Sequence, residues 1–435
     1  MQKGEFAALS DIYREELFGN ILPFWMKNGI DKENGGFFTC FSNDGTVFLH
    51  KHKFAWSQGR FIWMLSRLYD EYKTKLPKDN VDRYLSAAKA GADFLMKHVR
   101  LPDGACAFIL SEKGAPILLD ANGKVRERKD NEPYDLSIYA DLFVLYGVGE
   151  YARVSGDKHA FAWAKDLYQS IAARFASGNF RSWPYPVPKG YKVHGLQMSY
   201  EMFQEFAECA KKFGDNALVE DLMRKSDACI QETLGHFLQP NHLILEFLGA
   251  DNKPRSNMLG SYINPGHTLE DLWFMMHNGL KTGRKTIFKQ AVPIILKTLE
   301  VGWDREFGGL PQFAHVTGGA PRGDVPPELA GEEMIGKLKN NWDNKLWWPH
   351  SEALYTLILA YEHTREKKLW DWFQIMHDYT FKTFPNPDKA VGEWIQIRTR
   401  KGDPEEKVVA LPVKDPFHIT RVFIHIINCL ERLAA

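Results

Sequence analysis

Six polar residues stand where runs of large apolar side chains begin: Arg60, Asp135, His194, His267, Glu352 and His418. The segment NPGHTLEDLW (264–273) shows what such a position could do. Pro265 and Gly266 break the preceding structure and favour a helix start, and a spacing of three puts His267 and Glu270 on one helical face. Such a histidine could cap the helix, bind a metal or move protons. A zinc site needs a second ligand at short spacing, as in HExxH. Position 271 is Asp, and His350 is followed by Ser351 and Glu352, so no metal site is expected. Imidazole, with an unperturbed pKa of about 6.5, takes up and returns protons near neutrality. Two such groups on opposite sides of a substrate carbon could remove a proton from one face and deliver one to the other. Trp56, Trp347, Trp348 and Trp394 offer flat surfaces for a sugar ring, with core packing as the competing reading. GEEMIGKL (331–338) fits GxxxxGK, but Leu338 stands where a Mg²⁺-binding hydroxyl belongs and no strand precedes it. No GxSxG or GxGxxG segment occurs.

Helical periodicity dominates the elements that would position these groups. Stripes of apolar residues run through 10–27, 81–99 and 159–176. Strand-like alternation is local, at 35–41, 105–110 and 407–413, and predicts short hairpins in the connections. Two internal echoes stand out. DKENGGF (31–37) returns as DREFGGL (304–310), and KFAWSQGRFIWMLSRLY (53–69) aligns with KLWWPHSEALYTLILAY (345–361), pairing Arg60 with Glu352. The second copy carries extra residues in the Gly/Pro-rich stretch 317–341, which reads as a lid or inserted loop. Aromatic-rich helices near 53–72, 134–153, 194–213, 265–281, 348–364 and 418–433 alternate with amphipathic ones near 6–27, 81–99, 158–176, 216–236, 284–300 and 367–383. Alternation of this kind predicts an all-α (α/α)6 barrel, one domain over 1–435, with the inner helix starts gathered at one mouth.

Composition narrows the function classes. Lys+Arg and Asp+Glu are both 55, so no basic footprint for nucleic acid or an anionic membrane is present. No apolar run approaches the ~18 residues of a membrane span. The N-terminal residues lack the apolar core of a signal peptide, and five scattered cysteines without CxxC spacing suit a reducing compartment. A cytoplasmic location is therefore expected.

NPGHTLE, KLWWPHSEA, PFHITR (416–421) and KFAWSQGR resemble the N-acylglucosamine 2-epimerase family, in order from about residue 10 to 433. The resemblance implies an (α/α)6 barrel and a sugar epimerase or isomerase. It matches His267 and His418 to two acid–base histidines acting from opposite faces of C2, and Arg60 to the arginine beside the carbonyl oxygen. Glu270 and Glu352 match carboxylates that orient those histidines and bind hydroxyls; Trp348 and Trp394, with Trp56, match the sugar site. Arg421 lies on the face of His418 and supports it. His194 matches a third histidine more loosely, because Gln197 replaces the acid usual there. GEWIQI (392–397) departs from the GEWFGY type of N-acylglucosamine members. The expected reaction is interconversion of N-acetylglucosamine and N-acetylmannosamine through the open-chain sugar. The alternatives are epimerisation or aldose–ketose isomerisation of free sugars such as mannose, glucose or cellobiose, and glycoside hydrolysis on the same barrel. No metal or redox cofactor is required. The resemblance extends to ATP as an allosteric activator and to a homodimer, neither of which any segment locates.

Overall fold

The computed structural model describes residues 3–120 and 123–435. α1 (Lys3–Glu15) passes through a π-helical turn (Glu16–Ile21) into α2 (Leu22–Asn28). There follow α3 (Ala55–Tyr72), α4 (Lys78–His98), α5 (Ile138–Ser155), α6 (Lys158–Ser177), α7 (His194–Glu201), α8 (Phe203–Lys212) and α9 (Asn216–Glu232). The chain continues with α10 (Pro265–Thr282), α11 (Thr286–Gly302), α12 (Glu333–Asn340), α13 (Trp347–Thr364), α14 (Lys367–Thr383) and α15 (Phe417–Ala434). α3, α5, α7 with α8, α10, α13 and α15 form an inner ring in which each packs on the next and α15 returns to α3. The remaining long helices each cover an inner one from outside, α4 on α3, α6 on α5, α14 on α13 and so on.

Side-chain pattern decides which ring a helix joins. In α5 every residue from Ile138 to Ala152 is buried, whereas α4 buries a stripe at Val81, Tyr84, Ala88, Ala92 and Leu95. A helix apolar all round loses least when enclosed, and one with a single stripe keeps its polar face in water. A continuous cluster of buried apolar side chains reaches from Phe6 to Leu433. All five cysteines are free and buried. Among the described residues no helix is long and apolar enough to cross a membrane.

α3 and α5 cross at two glycines. A Cβ on Gly59 would strike the carbonyl of Phe143, and one on Gly147 the carbonyl of Gly59. Backbone rather than a flexible side chain blocks the space, so the helices would have to separate. Gly59→Ala is expected to cost about 2–3 kcal/mol, read as a lower midpoint in urea unfolding; an unchanged midpoint would show that the crossing yields freely.

The two internal echoes prove to be two halves of one device. The ammonium of Lys53, fully buried, donates to Asp31 (2.7 Å) and to the carbonyl of Gly35 (2.6 Å). That of Lys345, also fully buried, donates to Asp304 (2.9 Å) and the carbonyl of Gly308 (2.5 Å). Each repeat thus pins its Asp-to-Gly-Gly loop to the segment that leads into an inner helix, α3 or α13.

The expected hairpins are mostly something else. β3 (Leu118–Leu119) and β4 (Val125–Arg126) form one. The other pairs join chain segments a helix pair apart: β1 (Lys53–Phe54) with β2 (Ile109–Leu110), β5 (Tyr191–Val193) with β6 (Phe247–Gly249), β7 (Tyr262–Ile263) with β8 (Ala314–His315), and β9 (Lys345–Leu346) with β10 (Ile397–Arg398). All are antiparallel, and β1, β5, β7 and β9 each lead straight into an inner helix, so these pairs tie neighbouring modules together at one rim. Residues 105–110 supply β2 but pair with β1, and 35–41 makes only isolated bridges. Residues 407–413 form no strand; Val409, Leu411 and Val413 face a cavity instead of a partner strand. In the 317–341 insertion, α12 buries Ile335 and Leu338 and places Met334 against the same cavity.

Candidate active site

The first turns of the inner helices surround a cavity of about 1220 Å³ including its open mouth, lined among others by Trp56, Arg60, His267, Glu270, Trp348 and His418. Because the inner helices point their N-termini at it, their dipoles favour negative charge there. The opening turn of α10 shows how the sequence frees a side chain for this space. Asn264, not His267, caps the helix, its side-chain oxygen accepting the His267 N–H at 3.2 Å, and Pro265 takes the first helical position. Gly266 leaves room for the Trp348 indole, which a Cβ would meet at 2.5 Å. The His267 and His418 rings both approach the Trp348 indole, each 5.5 Å from it.

Each histidine is held through Nδ1 by a carboxylate. His418 Nδ1 lies 2.6 Å from Glu352 Oε1. Glu352 also accepts from Arg421 (2.6 Å) and from the Trp273 indole (2.7 Å). Burial, helped by the Arg60 guanidinium, pushes His418 down to about 3, so it is a neutral imidazole near pH 7. With the Nδ1 proton directed at Glu352, Nε2 is left as the basic nitrogen. Burial also pushes the Glu352 carboxyl up, against the donors from Arg421 and Trp273. His267 Nδ1 lies 2.9 Å from Glu246 Oε1. Burial would raise Glu246, yet His267 and His194 hold its carboxyl down at about 2. Arg60 pairs with Asp415 and lies 4.1 Å over the Phe143 ring, so its charge is kept beside the cavity despite burial. Asp415 in turn accepts the Phe417 N–H (2.8 Å) at the start of α15.

Glu270, Glu352 and His418 bring ligand-type atoms within 4.8 Å of one another. The guanidinium of Arg421 already sits against both carboxylates, so a divalent cation there would have to displace a fully buried Arg421.

Several expected placements change. Glu270 shares a helical face with His267 but turns to Arg421, and the carboxylate that holds His267 is Glu246, from the loop before β6. Glu352 and Arg421 stand behind His418, both fully buried and outside the cavity lining, so they do not reach a sugar hydroxyl. His194 is likewise fully buried, with Nε2 at 2.7 Å from Asp271. Trp394 is no wall of the cavity. Its indole donates to Glu16 in the π-helical turn (2.6 Å) and stacks on Phe384, because GEWIQI packs against the outer helices; Ile397 is the member of that segment that reaches the cavity. Asp135 pairs with Arg181 away from the lining. Trp56 and Trp348 do line it. Glu246 and Asp415 were not anticipated, although an acid inside the apolar run LILEFLG (243–249) and another just ahead of PFHITR were visible signals.

Residues 36–421 match the N-acylglucosamine 2-epimerase (GlcNAc 2-epimerase) family. N-acylglucosamine 2-epimerase of Rattus norvegicus is 28% identical over 416 residues, 92% of this chain and 87% of the relative. Cellobiose 2-epimerase of Ruminococcus albus is 23% identical, covering 95% of this chain and 97% of the relative. In fold, the chain is similar to the solved cellobiose 2-epimerase of Spirochaeta thermophila, with a TM-score of 0.74, 17% identity and 99% of both chains covered. A helical barrel whose mouth holds two carboxylate-backed histidines beside one tryptophan, matched over most of its length by that family, belongs to the N-acylglucosamine 2-epimerase family.

Proposed function

We propose that this chain interconverts N-acetylglucosamine and N-acetylmannosamine by moving the proton at C2 of the open-chain sugar. The observation that carries the reading is the pair of histidines lining one cavity beside Trp348, each held through Nδ1 by a buried carboxylate so that Nε2 is the free nitrogen. In one direction the imidazole on one face removes the C2 proton, and the C2–H electron pair forms a C1–C2 double bond with the charge on the C1 oxygen as an enolate. The imidazolium on the opposite face then returns a proton to C2 as the C1 carbonyl re-forms. Arg60, held in place by Asp415, supplies positive charge for the developing oxyanion, and the helix N-termini add to it. Removal and return of a proton leave every oxidation state unchanged, so the reaction calls for no redox cofactor.

The acyl-sugar choice is supported by NPGHTLE and KLWWPHSEA, and by relatives at 28% identity against 23% for the cellobiose enzymes. Met334, Leu411 and Val413 offer apolar surface in the same cavity to an acetyl methyl group. Glycoside hydrolysis would need two carboxylates on opposite sides of the bond. Here Glu270 and Glu352 share one guanidinium, and Asp135 is paired outside the lining.

Incubation in D₂O, followed by NMR at C2 with product identification, tests the reading. N-acetylglucosamine is expected to yield N-acetylmannosamine deuterated at C2. Exchange and turnover with mannose, glucose or cellobiose alone would move the substrate to free sugars, and deuterium at C1 would make the product a ketose. No exchange in any of them would sink the reaction.

A further inference from the structure

Each histidine in the cavity is backed by a carboxylate, and each carboxylate by a second buried basic side chain. Behind His418 stand Glu352 and then Arg421. Behind His267 stand Glu246 and then His194, whose Nδ1 is 3.6 Å from Glu246 Oε2 and whose Nε2 is 2.7 Å from Asp271 Oδ2. His194 is fully buried and lines no part of the cavity, so it does not meet a substrate. Two carboxylates face it directly, Glu246 from the loop before β6 and Asp271 from α10. Beyond Asp271 lie Glu201 on α7 and Cys229 of α9. Burial works against a charge on His194, yet Asp271 and Glu246 outweigh it and hold the imidazole up at about 9. Burial and the neighbouring Asp271 push the Glu201 carboxyl well up, which keeps that end of the chain neutral.

Resting on the reaction proposed above, we propose that His194 is a positioning residue, a buried imidazolium that anchors Glu246 and through it sets the ring orientation and tautomer of His267. It does for His267, with a group that can lose its proton, what Arg421 does for His418 with a permanent charge. The two bases therefore differ in one respect: as pH rises, only the His267 side loses its backing cation. Once His194 is neutral, the Glu246–Asp271 pair has no charge between it, and Glu246 is no longer held in place for the Nδ1 proton of His267. Turnover then falls on the alkaline side, while substrate binding changes little because His194 lies outside the cavity.

Ring NMR of the ¹⁵N-histidine-labelled protein, with the His194 signals assigned by their loss in His194→Gln, is the direct test. His194 is expected to carry protons on both nitrogens at pH 7.5; a singly protonated ring there would overturn the proposal. This readout needs no turnover, so it stands apart from any failure of the epimerase reading, which the C2 exchange of the unmodified protein decides. In kinetics, His194→Gln is expected to lower kcat by about tenfold or more with KM within about twofold. Asp271→Asn keeps the shape but weakens the hold on the His194 proton, and is expected to move the alkaline limb of the kcat profile down by about one pH unit. Folded variants with unchanged kcat and an unmoved profile would overturn the proposal. If neither variant folds, the ring protonation of the unmodified protein decides.

Discussion

His418→Ala is expected to lower kcat for net epimerisation by about 10²–10⁴-fold, the usual worth of a positioned acid–base group. His267→Ala should do the same, and the two variants are expected to differ in a telling way. In a two-base reaction each epimer presents its C2 proton to a different histidine. A variant that keeps one base can still remove and return the proton on that face, exchanging it for deuterium without making the other epimer. His418→Ala should therefore exchange C2 in one epimer only, and His267→Ala only in the other. NMR of each epimer in D₂O reads both patterns, and unchanged circular dichroism shows that the barrel is intact. Exchange of both epimers by either variant, or near-normal turnover, would remove that histidine from the proposed pair. The separation is physically grounded. Each imidazole is fixed by its own carboxylate, Glu246 or Glu352, so neither ring takes over the other's position.

The largest loss of stability is expected at Arg421. Its guanidinium is fully buried, donates to Glu270 and Glu352, and lies 4.5 Å from the centre of the Phe417 ring and 4.9 Å from that of Trp273. Arg421→Met retains much of the packing against those rings but leaves two carboxylates beside each other without a cation. Breaking a buried pair in this way costs about 3–5 kcal/mol, which urea or thermal unfolding would read. Combining it with Glu270→Gln and Glu352→Gln removes the stranded charges and should restore much of that stability, because a neutral buried cluster bears no such penalty. Activity should not return with it, since His418 would lack the carboxylate that holds its Nδ1 proton. If Arg421→Met alone unfolds at the same denaturant concentration as the unmodified chain, the guanidinium is not what keeps these carboxylates buried.

Much of this molecule is legible in its sequence. The alternation of all-apolar and striped helices is a local property of contiguous residues, and it became the inner and outer rings, as α5 and α4 show. The helix-opening signals of α10 were also local, and they placed His267 correctly while leaving its role open. Helical spacing misplaced the carboxylate partner of His267, which is Glu246, although Glu270 does line the cavity 3.9 Å from His418, and Trp394 went to the core. Helical spacing says which side chains share a face, but not what a neighbouring helix brings to that face. A tryptophan in a loop is equally suited to a sugar and to a core, and the packing of Trp394 on Phe384 and Glu16 decided for the core.

What the sequence by itself determined is the ring of helices, the place of His267, His418 and Arg60 at helix starts that share one mouth, and the family. All of these are written in spacings of a few residues or in contiguous segments. What only the tertiary structure decided is which charge stands behind which base. His267 takes Glu246 from 21 residues away, His418 takes Glu352 from 66, and Arg60 takes Asp415 from 355. Such partners are chosen when the barrel closes. A carboxylate taken out of water must then find a cation or donor within hydrogen-bond reach, and the nearest one in space bears no relation to the nearest one along the chain.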